Sequence, residues 1–311
     1  MANRIKEKYM AGKRYFDYPM LFLVIFLICF GLVMIYSTSS YKSTVTYGNS
    51  YHWLLRQAVA IVLGAVAMVV CCKLDYRIIK SEKFGNGCYW ASIILLVLVL
   101  IIGAAKKGAV RWISIAGFQF QPSEVSKILV VIYLANRLSA NAHKIRTFKD
   151  SIVIVLPTVP IIALIVTQNL STALVVCSMI GVMLFVVSPK MKELMLTAGG
   201  GIILLFVYLL TANSYRNERV QIWLHPESHK KGFQTMQALY AIGSGGIFGK
   251  GLGQSMQKMG FIPESHNDMI FSIICEELGL FGAVCLILVF VALIFRMLLI
   301  ALNTEDLFGS L

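Results

Sequence analysis

Eight stretches of this chain are apolar for long enough to cross a lipid bilayer: 18–38, 53–72, 88–105, 121–138, 151–167, 170–188, 193–211 and 268–300. A spanning helix needs about 20 apolar residues, because it rises about 1.5 Å per residue through a hydrocarbon layer about 30 Å thick. The pattern predicts an all-α fold, a polytopic transmembrane helical bundle of about eight spanning helices. Composition agrees. Of 311 residues, 58% are hydrophobic and 14% charged, against about 25% charged in an ordinary soluble domain. The last stretch is too long for one straight span and is expected to begin in a structured outer loop or to run on into the cytoplasm. The fifth and sixth are joined by TQNLS alone and are expected to form a tight hairpin.

The first apolar run follows a basic leader (Arg4, Lys6, Lys8, Lys13, Arg14). It is longer than a signal-peptide core and ends in IYSTSS without a small-x-small site, so it reads as an uncleaved first helix. Lys and Arg gather in the leader, in 73–83, in 137–149 and at Lys190 and Lys192, all on one side if every candidate spans. The positive-inside rule then places the N-terminus in the cytoplasm. The chain reads as a single membrane domain over 1–311, with 212–267 as a long extracytoplasmic loop. Loops of that length are usually functional.

Several classes are excluded or disfavoured. The formal net charge of +13 belongs to cytoplasmic loops, with no basic stretch interleaved with aromatics for nucleic acid. No phosphate-loop motif suggests ATP-driven work. The seven cysteines form no CxxC pair and read as packing residues. The five histidines are too scattered for a metal motif.

Charged groups inside hydrocarbon are costly and mark candidate sites. Gln121, Glu124 and Lys127 open the fourth run in QPSEVSK, with Glu124 and Lys127 three residues apart on one helix face. Glu264, His266 and Asp268 precede Glu276 and Glu277 at the eighth. Asp268 and Glu276, eight residues apart, are expected to point the same way, and the two runs to share one outward-facing polar pocket. The long loop adds Arg216, Arg219, Glu227, His229, Lys230 and Lys231, then a glycine-rich stretch from Gly243 to Gly253. Arg and Lys suit phosphate oxygens. The glycines would let backbone approach a ligand closely.

Four stretches carry a resemblance: GAVRWISIAGFQFQPSEVSKILVVIYLA (108–135), QNLSTALVV (168–176), GFQTMQALYAIGSGGIFGKGLGQSMQKMGFIPESHNDMIFSIICEELGLFG (232–282) and, more loosely, GLVMIYSTSS. With them the chain resembles the SEDS family (shape, elongation, division and sporulation; FtsW, RodA and SpoVE), on the FtsW/SpoVE side. The resemblance implies a peptidoglycan glycosyltransferase of the bacterial inner membrane. It would polymerise lipid II onto a glycan strand attached to undecaprenyl pyrophosphate, for cell division or cell-wall synthesis. The implied partners are a class B penicillin-binding protein acting as transpeptidase and divisome proteins. The implied cofactor is a divalent cation, Mg²⁺ or Mn²⁺.

The family loop reads LDPxxDPxGxGYQ, with its second Asp as proposed base. Here it reads Leu224-His225-Pro226-Glu227-Ser228-His229-Lys230-Lys231-Gly232-Phe233-Gln234. Aligned from the left, His229 replaces that Asp. Aligned from the right, Glu227 does, and Glu227 is preferred because a carboxylate keeps both base strength and metal affinity. Arg219, Gln121, Glu124, Lys127, Glu264, Asp268, Glu276 and Lys231 are the expected substrate-binding residues. Asn169 stands where the family's QPDLG has a carboxylate. Family members have ten spanning helices and a PFxSYGG segment near the ninth, whereas this chain ends after its eighth, so it is expected to be incomplete at the C-terminus. Two rival readings stay open: a lipid II flippase, and a non-catalytic scaffold for a transpeptidase. The nearly charge-free inner halves of the fourth and eighth runs speak against transport.

Overall fold

The computed structural model describes residues 16–106, 109–115, 118–145, 147–188, 199, 221–228 and 232–311. The chain is mostly helical and divides into two compact units, Met1–Cys71 with Ala212–Ile300, and Cys72–Thr211 with Ala301–Leu311. Among the described residues, six helices are long and apolar enough to cross a membrane. It is a multi-pass membrane protein.

The first unit contains α1 (Tyr18–Tyr47), most of α2 (His52–Lys73), α8 (Phe233–Ser244) and most of α9 (Ile270–Asn303). Asp17 caps α1, its side chain accepting from the Met20 N–H at 2.9 Å. Two contacts far apart in sequence fix the register of α1 against α9. Arg296 pairs with Asp17 at 2.6 Å, and the Ser37 hydroxyl donates to Glu277 at 2.7 Å. Moving from Asp17 to Ser37 along α1 moves from Arg296 back to Glu277 along α9, so the two helices run antiparallel. The distance between the contacts is about 20 residues, or about 30 Å, which is the hydrocarbon thickness. Met34, Ile274 and Leu286 fill the seam, with Leu27, Phe30, Ile270 and Leu278 against them. One charged contact therefore sits near each edge of the apolar layer.

The second unit contains α3 (Glu82–Ile102), α4 (Pro122–Asn141), α5 (Phe148–Val155), α6 (Val159–Gln168), α7 (Leu170–Val187) and α10 (Leu307–Ser310). Its core is built from helical spacings: Val130, Leu134 and Leu138 on α4, Ile161 and Ile165 on α6, and Ala173, Val176 and Ile180 on α7, around Leu96 of α3. Two amide side chains in this unit donate to backbone carbonyls of neighbouring segments. The Gln168 amide donates to the Leu96 carbonyl at 3.2 Å. The Asn136 amide donates to the Ile79 carbonyl at 2.8 Å. The expected hairpin is present: Asn169 alone separates α6 from α7, and its side chain accepts from the Ser171 and Thr172 amides as the α7 cap.

Three expectations change, and one element is new. The run 88–105 begins earlier, at Glu82, where Ser81 caps the helix, and ends at Ile102. The fourth run forms α4 but does not count among the six most apolar helices, because Glu124, Lys127 and Arg137 interrupt it. The stretch after the third run folds into a three-stranded antiparallel sheet, β1 (Ala104–Lys106), β2 (Ala109–Ile115) and β3 (Phe118–Phe120), in the order β1-β2-β3. Its middle strand, AVRWISI, is rich in β-branched and aromatic residues that favour strands. The eighth run starts at Ile270 rather than 268 and is broken at Gly279 (φ 68°, ψ −171°). The seventh candidate, 193–211, lies outside the described residues apart from Gly199.

Candidate functional site

Two adjacent carboxylates on α9 organise the first unit. Glu276 and Glu277 are both 0% exposed, a placement that requires compensation for each charge. Glu277 accepts from Lys258 Nζ at 2.7 Å and from Ser37 Oγ at 2.7 Å, and Lys258 Nζ also donates to Ser37 Oγ at 3.0 Å. Lys258 itself is only 5% exposed. Glu276 accepts from Lys250 Nζ at 2.7 Å, from the Ser255 hydroxyl, and from the Met256 and Gln257 backbone amides at 3.3 and 3.4 Å. Each carboxylate is thus neutralised by one lysine from the segment 245–260.

That segment is the glycine-rich stretch, and Gly245 and Gly249 let it approach the helix backbone closely. Helix α9 breaks at Gly279, and the strap 245–251 supplies hydrogen bonds where the break interrupts the regular pattern. Lys250 N–H donates to the Glu276 carbonyl and Gly251 N–H to that of Glu277, both at 2.9 Å. In return, Leu280 N–H donates to the Gly246 carbonyl at 2.9 Å and Phe281 N–H to that of Ile247 at 3.0 Å. A Cβ at Gly245 would run into the Cys275 carbonyl, and one at Gly279 into the Gly249 amide. Gly249 and Gly279 also hold positive φ, where side chains are strained. The expected ligand cradle is therefore a clasp on a broken helix.

The clasp corrects the reading of Glu276. It does not point the same way as Asp268, which is exposed and lies before the helix begins. Its oxygens are taken up by the strap. Glu264 is half-buried, adopts φ 57°, and accepts from the Asn267 amide at 3.2 Å. The residues that sequence reasoning missed are Lys250, Lys258 and Ser37. Charge accounting could have found the lysines: two buried carboxylates demand two cations, and Lys250 and Lys258 are the lysines of the glycine-rich segment and its continuation. Lys258 and Ser37 also line a groove of about 580 Å³ walled by Tyr36, Tyr41, Leu252 and Met259.

His266 sits beside this loop at 8% exposure, its ring 4.7 Å from that of Trp53. Burial, and the nearby Lys42 charge, push its imidazole below the ordinary value of 6.5, opposed in part by Glu264.

Glu227 lies in a separate part of the first unit, on the short 3-10 turn Pro226–Ser228 just before α8. It is exposed and lines a cavity of about 610 Å³ with Phe233, Met236, Gln237 and Tyr240. Gly232 lets the chain close against this turn, since a Cβ there would collide with the Pro226 carbonyl. His225 Nδ1 lies 3.5 Å from Glu227 Oε1. Arg219, His229 and Lys231 lie outside the described residues, as do Arg216 and Lys230. In the second unit, Glu124 and Lys127 share a face of α4 as expected and pair at 2.8 Å. Gln121 precedes α4 and donates to the Ser123 hydroxyl at 3.0 Å.

A polytopic helical membrane protein with a broken, lysine-clasped helix and an exposed carboxylate on the loop before α8 is the class that these features define. The family model of the FtsW/RodA/SpoVE cell cycle proteins matches residues 18–311, and the chain belongs to this family. It is 36% identical over 304 residues to a probable peptidoglycan glycosyltransferase FtsW of Geobacter metallireducens, covering 94% of this chain and 79% of that one. It is 34% identical over 304 residues to stage V sporulation protein E of Bacillus subtilis, covering 94% and 81%. Among solved structures it is similar to a chain of a peptidoglycan synthase complex that coordinates polymerization and crosslinking (TM-score 0.75, 27% identity, 96% of this chain and 83% of that one). It is also similar to the rod shape determining protein RodA of Thermus thermophilus (TM-score 0.66, 26% identity, 96% and 80%).

Proposed function

We propose that this chain is a peptidoglycan glycosyltransferase that joins lipid II units into glycan strands at the outer face of the bacterial inner membrane, its N-terminus in the cytoplasm. The observation that carries the mechanism is Glu227: an exposed carboxylate at a 610 Å³ cavity, on a turn fixed by Gly232, in a chain of this family. The 4-hydroxyl of an incoming lipid II sugar attacks the anomeric carbon of the growing strand. The new C–O bond forms, the bond to pyrophosphate breaks, and the hydroxyl proton passes to Glu227. Undecaprenyl pyrophosphate leaves.

Arg219 and Lys231 are assigned to the pyrophosphate, and Gln121, Glu124, Lys127, Glu264 and Asp268 to the rest of the substrate. Glu276 acts as a positioning residue through the strap. A divalent cation fits this chemistry in one form. Among the described residues no group of three acidic, histidine or cysteine side chains converges. Binding through one carboxylate plus substrate phosphates is a common arrangement for Mg²⁺. Glu227 would hold the cation, which when bound would neutralise charge on the leaving pyrophosphate. The partner that cross-links the product is a class B penicillin-binding protein.

Purified chain with such a partner and fluorescent lipid II tests the reading by gel analysis of products. Removing a general base lowers the rate by about 10²–10⁴-fold, so Glu227→Ala abolishes the glycan ladder while His229→Ala retains it. A ladder unchanged by Glu227→Ala refutes the assignment.

A further inference from the structure

Where the family loop has an acidic residue before the proline, this chain has His225, and its imidazole faces Glu227. We propose that His225 and Glu227 form a nitrogen–oxygen chelate for a divalent cation, with pyrophosphate oxygens completing the coordination; the source of that pyrophosphate rests on the glycosyl-transfer reading.

The separation of 3.5 Å between His225 Nδ1 and Glu227 Oε1 is longer than the 2.7–3.2 Å of ordinary N–H···O hydrogen bonds. It is close to a chelate bite. Two neighbouring ligands on an octahedral cation with bonds of about 2.1 Å lie about 3 Å apart, so the pair needs to close by only about half an ångström. The backbone is prepared for this. His225 N–H donates to the Gln221 carbonyl at 2.7 Å, and the His225 carbonyl accepts from Ser228 N–H at 3.2 Å. Pro226 fixes φ between the two side chains, and Gly232 packs on the Pro226 carbonyl. Both side chains remain open, at 63% and 59% exposure, so a solvated ion can enter and most of its sites stay free for phosphate oxygens.

The consequence is selectivity. Carboxylate, carbonyl and water favour Mg²⁺, Ca²⁺ and Mn²⁺, whereas imidazole favours the later transition metals. An all-oxygen loop makes that distinction less steeply. The His225 site ranks Co²⁺ and Zn²⁺ above Mn²⁺, and Mn²⁺ above Mg²⁺.

The experiment uses the full chain in lipid nanodiscs, purified without a histidine tag, with Mn²⁺ as the probe and inorganic pyrophosphate added. Electron spin echo measurements read nitrogen bound to manganese. Wild type shows ¹⁴N modulation. His225→Asp retains bound Mn²⁺ but loses the modulation, and His229→Asn retains both. Co²⁺ displaces Mn²⁺ from wild type at lower concentration than Mg²⁺ does, and that difference shrinks in His225→Asp. Absence of nitrogen modulation in wild type overturns the chelate, and so does its persistence in His225→Asp or its loss in His229→Asn. Ladder formation from lipid II is measured in parallel. Modulation without ladders supports the chelate while removing the glycosyl-transfer reading; ladders without modulation overturn the chelate alone.

Discussion

Replacing Lys258 with methionine isolates the worth of one buried ion pair. Lys258 is 5% exposed and Glu277 0%, so water cannot take over solvation of the carboxylate when the lysine is lost. Ser37 continues to donate to Glu277, but a neutral hydroxyl cannot offset a full charge. Breaking one side of a buried pair costs about 3–5 kcal/mol. Replacing both partners by apolar groups of similar size is close to neutral, because the desolvation cost of each ion disappears with the ion. Lys258→Met is therefore expected to lose about 3–5 kcal/mol, and Lys258→Met with Glu277→Leu to recover most of that loss. Reversible unfolding in mixed micelles, read by tryptophan fluorescence, gives both values and their coupling energy. A single variant within about 0.5 kcal/mol of wild type, the range of an ordinary surface change, would refute the reasoning. So would a double variant no more stable than the single one.

The remaining predictions concern the clasp and the buried imidazole. Gly279→Ala and Gly245→Ala force a Cβ into strap or helix backbone and are expected to abolish the monodisperse peak in detergent, whereas Gly246→Ala, whose Cβ would meet open space at a strained φ, keeps a peak of reduced stability. His266 is held neutral by burial, below its ordinary 6.5. It therefore adds stability above that pH that is lost as pH falls through its lowered folded value. The thermal midpoint of wild type should drop on acidification through this window, and His266→Phe should flatten that part of the curve; an unchanged slope would remove His266 as the cause.

Much of the architecture was written in hydropathy, because bilayer thickness dictates span length directly. The α6–α7 hairpin and the face shared by Glu124 and Lys127 follow from local spacing and appear as expected. The clasp did not show itself this way. Glycines permit close approach without naming what approaches, and the approaching group is backbone some 30 residues away rather than a ligand. Glu276 likewise reads as an intramembrane acid, but only tertiary structure reveals that Lys250 and Ser255 occupy its oxygens. The sheet after α3 is hidden by its shortness, with strands of three, seven and three residues. At Glu227 the sequence named the carboxylate, while the 3.5 Å approach of His225 depends on a turn closed by Gly232.

The clasp also constrains how the chain can be made. Its lysines emerge from the ribosome before the glutamates that neutralise them. Until α9 arrives, Lys250 and Lys258 have to wait in water, and the strap has no broken helix to hold. Insertion of α9 and maturation of the loop are thus one event: the acids enter the apolar layer only as their bases close over them, and a chain halted before residue 277 would present a loop with nothing to fold against.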